Sequence, residues 1–297
     1  MTRSEFIKSV GAVAALSACG KAFGAETPSD RYATLQSQID EVTRDEFFAY
    51  MEGGPADKAA LRHLDAVFDK VLKEVRETVV TDRPAIWFVY NMGLIVKTFE
   101  TCFSIDLKHR RAAEIAPLLD FALITHRHVD HFTEDFYRAM DGAGKTVISN
   151  FKPNSGVKEG QAVCGYTREV RTFKMRDVEI RTAFVDHSKT QIDLITSFEI
   201  LIGKWRLFHS GDAADEGKLN PIYGPDLWMC HPYCCEWPII KGVKKFAPKK
   251  TVILHLNELG HPRGGCRWTW EEGFRAKADV EKAGGAAIVP IWGDRIW

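Results

Sequence analysis

The sequence has no surplus of charge of either sign, because 40 lysines and arginines balance 40 aspartates and glutamates. It also has no arginine-rich arm and no lysine run of the kind that follows a phosphate backbone. Nucleic acid is therefore not an expected partner, and a small-molecule substrate is expected instead. Nothing in the composition indicates an oligomeric state.

The sequence also lacks the CxxC pairs that are typical of structural zinc knuckles. Apart from Cys19, the chain contains six cysteines, of which Cys234 and Cys235 are adjacent. An even number permits disulfides in an oxidising compartment, but spacing alone does not give their connectivity. The absence therefore argues against a zinc knuckle and leaves disulfides open.

The apolar run near the N-terminus, "SVGAVAALSACG", is too short to span a bilayer as a mature helix. It follows Arg3 and Lys8 and precedes small residues, which is the order of an export signal over residues 1–25. "LSAC" resembles a bacterial lipobox, in which Cys19 would carry lipid. Cleavage after Gly24, twin-arginine export (with one arginine missing from "TRSEFIK") and a buried N-terminal helix are the alternatives. We predict an exported protein, periplasmic or held at the membrane only through a lipid on Cys19, rather than a cytoplasmic one.

Beyond the signal, the sequence predicts a helical extension over residues 26–84 and a mixed domain over residues 85–297. Residues 28–50 and 56–79 are predicted helices, the second with apolar residues at three- and four-residue spacing. After Pro84, short β-rich runs such as "AIWFVY" and "CFSIDL" alternate with helical segments. This mixture predicts an α/β sandwich of two sheets with helices outside.

A dense group of donors follows the predicted strand that ends at Thr125. The stretch "LITHRHVDHFTED", residues 123–135, contains three histidines and Asp130 within six residues. Loops that leave strand ends are where rigid scaffolds place reactive groups. Imidazole and carboxylate ligands in close sequence suit zinc. The stretch therefore predicts a metal site formed by His126, His128, Asp130 and His131.

This stretch resembles the H-x-H-x-D-H signature of the metallo-β-lactamase superfamily. Three further segments fit the same family pattern, each at the end of a predicted strand: "IRTAFVDHS", "WRLFHSGDAAD" and "TVILHLNE". The resemblance covers roughly residues 85–297, and "NMGLIVKT", "SIDL" and "HSGD" are similar to its lactonase and phosphodiesterase-like branch. It implies an αβ/βα four-layer sandwich with a two-metal site at one edge.

The resemblance also implies a ligand set and a reaction. One ion would be held by His126, His128 and His187, and the second by Asp130, His131 and His255, with Asp212 bridging. The ions would be two divalent metals, most often zinc, with manganese or iron as alternatives. A bridging hydroxide would then cleave an ester-like bond, whether phosphodiester, lactone, amide or thioester. Asp130 would also be catalytic, by guiding a proton to the leaving group.

Several nearby residues are weaker candidates. Asp106 is a predicted hydrogen-bond partner of a ligating imidazole, and His231 is a predicted pocket residue. His261 is either a pocket residue or the last metal ligand in place of His255. The histidines of "HLNELGH" are six residues apart, so a zinc-protease helix, which needs them four apart, is rejected. His63 and His109 lie in charged, helix-like segments and are predicted to be solvated.

Two other functions fit the same motif. Some relatives of this fold use iron as oxidoreductases, although their flavodiiron branch has glutamate where this chain has His128. A non-catalytic metal-binding protein is the other alternative, but all seven expected donors are present. The sequence therefore favours a metal-dependent hydrolase and leaves its substrate open.

Overall fold

The computed structural model describes residues 28–151, 170–222, 224–233 and 238–297. The predicted export signal, with Cys19, lies outside the described residues. Within the described part of the chain, every helix is too short or too polar to traverse a bilayer.

Two β-sheets form the centre of the fold. The first sheet has the order β1-β2-β3-β4-β5, in which β1, β2 and β3 are antiparallel and β3, β4 and β5 are parallel. Its strands are β1 (Ala85–Tyr90), β2 (Gly93–Lys97), β3 (Cys102–Ile105), β4 (Phe121–Leu123) and β5 (Thr146–Ile148).

The second sheet has the order β12-β11-β10-β9-β8-β7-β6. Its first four strands in that order are parallel, and the remaining pairs are antiparallel. Its strands are β6 (Arg171–Met175), β7 (Val178–Val185), β8 (Ile195–Ile202), β9 (Trp205–His209), β10 (Leu227–Cys230), β11 (Lys250–Ile253) and β12 (Ala287–Ile288). Apolar residues of both sheets belong to one core, which matches the predicted two-sheet sandwich.

Helices cover both sheets. α3 contacts β1, α4 contacts β5, and α6 contacts β11 and β12. A 3-10 helix, Ala112–Leu118, connects β3 to β4 and also contacts α4. The α-helices are α1 (Pro28–Asp40), α2 (Arg44–Met51), α3 (Ala59–Glu77), α4 (Glu134–Gly142), α5 (Ile239–Phe246) and α6 (Trp270–Lys282).

The prediction of one helix over residues 28–50 is wrong, because the structure divides this segment into α1 and α2. Thr43 has extended backbone angles and caps α2. Its hydroxyl accepts from the Glu46 backbone N–H at 3.2 Å, while its own backbone N–H donates to the Glu46 carboxylate at 2.8 Å. This capping box was readable as "TRDE", and it starts a new helix despite the continuous polar-apolar pattern.

The N-terminal helices contact the sandwich directly. Trp87 Nε1 on β1 donates to Glu74 on α3 at 2.7 Å, and Lys70 donates to the Gly293 carbonyl at 2.7 Å. Residues 293–297 in turn run beside β1, with Phe88 N–H donating to the Asp294 carbonyl at 2.9 Å. The helical segment is thus packed on the sheets, while the domain boundary at residue 84 stays a prediction.

The topology brings the ends of several strands to one edge of the sandwich. The "HRHVDH" segment follows β4, His187 follows β7, Asp212 follows β9 and His255 follows β11. Since β9 and β11 run parallel in one sheet, their carboxyl ends point the same way. Side chains that follow such strand ends meet in a common crevice.

Candidate metal centre

The seven predicted ligands come together at this edge in two groups of potential donor atoms. Within each group the donor atoms all lie within 4.8 Å of one another. The first group is half-exposed at two of its three members, whereas all members of the second are buried. The groups are His126, His128 and His187, and Asp130, His131, Asp212 and His255.

One carboxylate oxygen lies between the two groups. Asp212 Oδ2 is 3.1 Å from His131 Nε2 and 3.5 Å from His255 Nε2, both in its own group. It is also 3.8 Å from His187 Nε2 and 3.9 Å from His126 Nε2, both in the other group. Asp212 Oδ2 therefore lies within 3.9 Å of imidazole nitrogens from both groups.

Asp106 and Thr125 hold the imidazoles from behind. Asp106 Oδ2 lies 2.9 Å from His131 Nδ1, and Thr125 donates to the same carboxylate from its hydroxyl and its backbone N–H, both at 2.7 Å. The Thr125 hydroxyl is also 3.0 Å from His126 Nδ1. These contacts fix the ring orientations and leave Nε2 of each histidine facing the centre. Asp106 is thus the hydrogen-bond partner of His131, whereas Thr125 was not singled out as a site residue.

Asn91, the first residue of the "NMGLIVKT" segment, also supports the centre. Its side-chain amide donates to the Asp130 carbonyl at 3.0 Å and to Asp130 Oδ2 at 3.3 Å, and its backbone carbonyl accepts from His255 N–H at 3.0 Å. Asn91, Asp106 and His255 all have positive φ, at 55°, 45° and 59°. Left-handed backbone at non-glycine residues is unfavourable and collects at functional sites.

The charges of the cluster are strongly coupled. Burial opposes charge on His131, but Asp212, Asp130 and Asp106 outweigh burial and raise the pKa of His131 well above its usual value. Burial likewise opposes charge on Asp130 and Asp212, yet His131 and His255 hold the pKa of each carboxyl well below its usual range. The carboxyl groups of Asp130 and Asp212 are therefore ionised beside a positively charged His131.

In the first group, by contrast, the surroundings favour neutral histidines. Burial, followed by the nearby His131 charge, lowers the pKa of His126 well below its usual value, and burial followed by His187 lowers the pKa of His128. Both rings are thus neutral, which metal binding requires of imidazole. His126 Nε2 is buried without a hydrogen-bond partner among the described residues. A buried polar atom left this way is destabilising unless a ligand satisfies it, so the donor set fits a metal ion.

The two weaker histidine candidates occupy different places. The His231 ring stacks on His255 with centroids 4.0 Å apart, and His231 Nδ1 accepts from Tyr233 N–H at 3.2 Å. His231 is buried and is not among the residues that line the cavity beside the centre. Its prediction as a pocket residue therefore does not hold for this cavity. His261 does line that cavity, and only His255 of the two belongs to the donor groups.

The prediction that His109 is solvated is wrong. His109 is buried, and its ring stacks on Phe68 at 4.2 Å between centroids. Burial lowers the pKa of His109 to about 4. His63 is half-buried rather than solvated, with its ring 6.4 Å from that of Trp292. His63 belongs to α3 and faces Trp292, and His109 packs against Phe68 of the same helix, which charged neighbours in sequence do not reveal.

Gly211, directly before Asp212, has a positive φ of 55° and no room for a side chain. A Cβ there would lie 2.9 Å from Ile195 Cγ2 and 3.1 Å from Thr125 Cβ. Glycine thus lets the chain turn at the end of β9 while Thr125 stays in contact with it.

Gly211→Ala is expected to lower the free energy of unfolding by roughly 2–4 kcal/mol, from left-handed backbone and overpacking together. Gly203, with φ of 56° and no atom within 4 Å of the place a Cβ would occupy, is the matched control. Gly203→Ala retains only the backbone effect, roughly 1–2 kcal/mol. Urea denaturation of both variants checks this, and equal losses would contradict the packing argument.

No protein-family model matches the chain. A segment is 28% identical over 126 residues to a protein of Rubrobacter xylanophilus described as a UPF0173 metal-dependent hydrolase. That match covers 37% of this chain and 50% of that protein, so it spans about half of the relative's length.

Solved structures define the fold. Igni18, a metallo hydrolase from Ignicoccus hospitalis, has a TM-score of 0.55 at 18% identity, and the match covers 72% of this chain and 97% of that chain. YhfI from Bacillus subtilis, a metallo-β-lactamase fold protein, has a TM-score of 0.53 at 12% identity, covering 71% and 98%. CmlA, a diiron β-hydroxylase from Streptomyces venezuelae, has a TM-score of 0.52 at 14% identity, covering 71% and 53%. The chain has the metallo-β-lactamase fold, and this confirms the fold predicted from the sequence.

Proposed function

We propose that this chain is a metal-dependent hydrolase that cleaves an ester-like bond with two divalent cations. The observation that supports this most is the position of Asp212 Oδ2, within 3.9 Å of imidazole nitrogens from both donor groups. His126, His128 and His187 would hold one cation. Asp130, His131 and His255 would hold the other, with Asp212 between them.

Two such cations, when bound, supply an ionised water at neutral pH and polarise the oxygen of the scissile bond. Zinc suits a set of five imidazoles and two carboxylates, and manganese or iron also accept it. The protein holds the neutral His126 and His128 in place, and Asp106 fixes the orientation of His131. Asp130 is the carboxylate of the cluster that also lines the adjacent cavity. It is therefore placed to carry a proton to the leaving group.

An iron-dependent oxidoreductase is the second candidate, because the diiron hydroxylase CmlA shares the fold. His128 argues against the flavodiiron branch, in which glutamate takes that position. A binding protein without activity is the third candidate. All seven donors are nevertheless in place, and a site that has lost its reaction usually loses ligands.

A screen of bond classes separates these functions. Purified protein loaded with Zn²⁺, Mn²⁺ or Fe²⁺ is assayed with a phosphodiester, a lactone, an amide and a thioester. A hydrolase turns over at least one class, loses that activity to a chelator and regains it with metal. If every class stays intact while the iron-loaded protein consumes oxygen with a reductant, the oxidoreductase replaces the hydrolase.

Export through the N-terminal signal is also a proposal, with Cys19 as the lipid-bearing residue. Stable anchoring needs more than one acyl chain, which a lipoprotein cysteine supplies. Cys19→Ser is therefore expected to release the protein from membranes or leave an uncleaved precursor, with hydrolysis unchanged. Cys266→Ser, a change at an exposed cysteine far along the chain, is the control and stays anchored. Intact mass of protein from its native host decides, since a chain starting at Ala25 or retaining Met1 contradicts lipidation.

A further inference from the structure

A cavity of about 390 Å³ opens directly beside the donor groups. The metal-centre loop contributes one side of it, through residues 127–130. Another part of the lining comes from α2, a helix of the N-terminal segment, through Arg44, Phe47 and Phe48. Its volume is that of a small-molecule site. The N-terminal segment thus contributes to the space in which a substrate would reach Asp130.

Two charged residues deep in the cavity offset one another. Lys108 and Glu258 line it and are 6% and 1% exposed. The Lys108 ammonium donates to the Val129 carbonyl, and its charge interacts favourably with Glu258 and Asp130. Tyr90 donates to Glu258 Oε1 at 3.1 Å. The charge of Lys108 is therefore engaged by carboxylates of the protein rather than left for a ligand.

Two arginines at the exposed rim of the cavity differ from Lys108. Arg44 and Arg127 line the cavity and are exposed. Neither side chain has an ion pair or a hydrogen bond with another residue in the ranges that the structure describes. The two guanidinium groups therefore give the entrance a positive field, which favours an anion.

An apolar wall lies next to these cations. Phe47 is buried and Phe48 half-buried on α2, and Val129, 64% exposed, extends from the metal-centre loop. Arg44 and Phe48 are four residues apart and share one helix face, with the guanidinium 5.1 Å from the ring centroid. A ligand at this wall thus meets an apolar surface and a cation together.

From this arrangement we propose that the cavity binds a small organic anion with an apolar group, and that Arg44 determines this preference. The proposal rests on the proposed hydrolase, for which it names the substrate class. The anionic group pairs with Arg44 at the mouth, and the apolar group lies against Phe48 and Val129. The scissile bond is then directed to the Asp130 end.

Binding of a matched probe pair tests this without requiring hydrolysis. The full chain with its metal is titrated by calorimetry with 3-phenylpropionate and with its neutral amide. The carboxylate is expected to bind at least about tenfold more tightly, a difference of about 1.4 kcal/mol. The carboxylate probe can also coordinate the metal, but this contribution is the same in every variant. A difference in probe affinity between variants therefore reports the side chain that was replaced.

Arg44→Gln is expected to lower the ratio of carboxylate to amide affinity about tenfold. Arg44→Lys should restore part of this ratio, since lysine shares the charge of arginine but not its planar guanidinium group. Phe48→Ala should weaken both probes alike. Arg138→Gln, an exposed arginine on α4 that does not line the cavity, is the control and changes neither affinity. Thermal melting shows that each variant is folded.

Equal carboxylate affinity in wild type and Arg44→Gln overturns the proposal, as does failure of both probes to bind at millimolar concentration. The proposed hydrolase fails separately. If no bond class is hydrolysed but probe binding depends on Arg44, the hydrolase proposal is rejected and the anion-binding cavity is kept. If a bond class is hydrolysed but neither binding nor hydrolysis depends on Arg44, the hydrolase is kept and the anion-binding proposal is rejected.

Discussion

Asp212→Ala is expected to lower hydrolysis on the order of a thousandfold, which corresponds to about 4 kcal/mol of transition-state stabilisation. Its Oδ2 atom lies within 3.9 Å of histidine nitrogens in both donor groups. Its removal therefore takes away a negative charge and the contact that links the two groups. Bound metal should fall by at least half. Steady-state kinetics and elemental analysis of the purified variant measure both effects.

A buried aspartate directly before β10 provides the control. Asp226, 7% exposed, accepts from Arg206 N–H at 2.8 Å and pairs with Lys249 at 2.7 Å. Asp226→Ala should reduce stability, because a buried hydrogen bond is lost, but leave metal content unchanged. If Asp212→Ala kept its full metal content, the bridging role would be wrong.

Asp130→Asn is expected to reduce hydrolysis by a factor of about 10²–10⁴, the range of general acid–base contributions. An asparagine side chain has the same shape as aspartate and can still accept hydrogen bonds from Asn91, so the fold should be retained. It removes the charge beside His131 and His255, at 3.3 and 3.1 Å, and with it the proton acceptor in the cavity. The effect should appear in kcat more than in KM, because Arg44 and Phe48, the proposed substrate contacts, are unchanged.

Asp135→Asn serves as the matched change, since this aspartate is 80% exposed at the start of α4 and close in sequence. Its kinetics should equal those of wild type. Full activity in Asp130→Asn would remove Asp130 from the reaction. A loss confined to metal content would leave Asp130 as a ligand without a role in proton transfer.

Much of the fold and the approach of the seven donors were predictable because they follow local signals. Apolar runs predicted strands, and each donor or donor group comes directly after a strand. β1, Ala85–Tyr90, is the whole of the predicted run "AIWFVY", and β3, Cys102–Ile105, lies within "CFSIDL". Strand ends that share a sheet edge bring such residues together, whatever their separation in sequence. The role of these residues as metal ligands stays a prediction.

The surroundings of the centre were not predictable, because they depend on contacts between distant segments. Nothing in "TRDEFF" indicates that α2 lines a cavity beside Asp130. That follows only from how the helix packs, with Phe47 5.8 Å from Tyr90 between ring centroids. His109 has charged neighbours in sequence, yet it is buried against Phe68 on α3. Exposure is a property of the packed helices rather than of local sequence.

Metal content of the purified wild-type chain tests the central claim most directly. Protein prepared without added chelator is measured by inductively coupled plasma mass spectrometry against an accurate protein concentration. A site with two groups of donors joined by Asp212 predicts close to two divalent ions per chain, with zinc the most abundant. One ion or none per folded chain, after reconstitution with zinc, manganese and iron in turn, would contradict it.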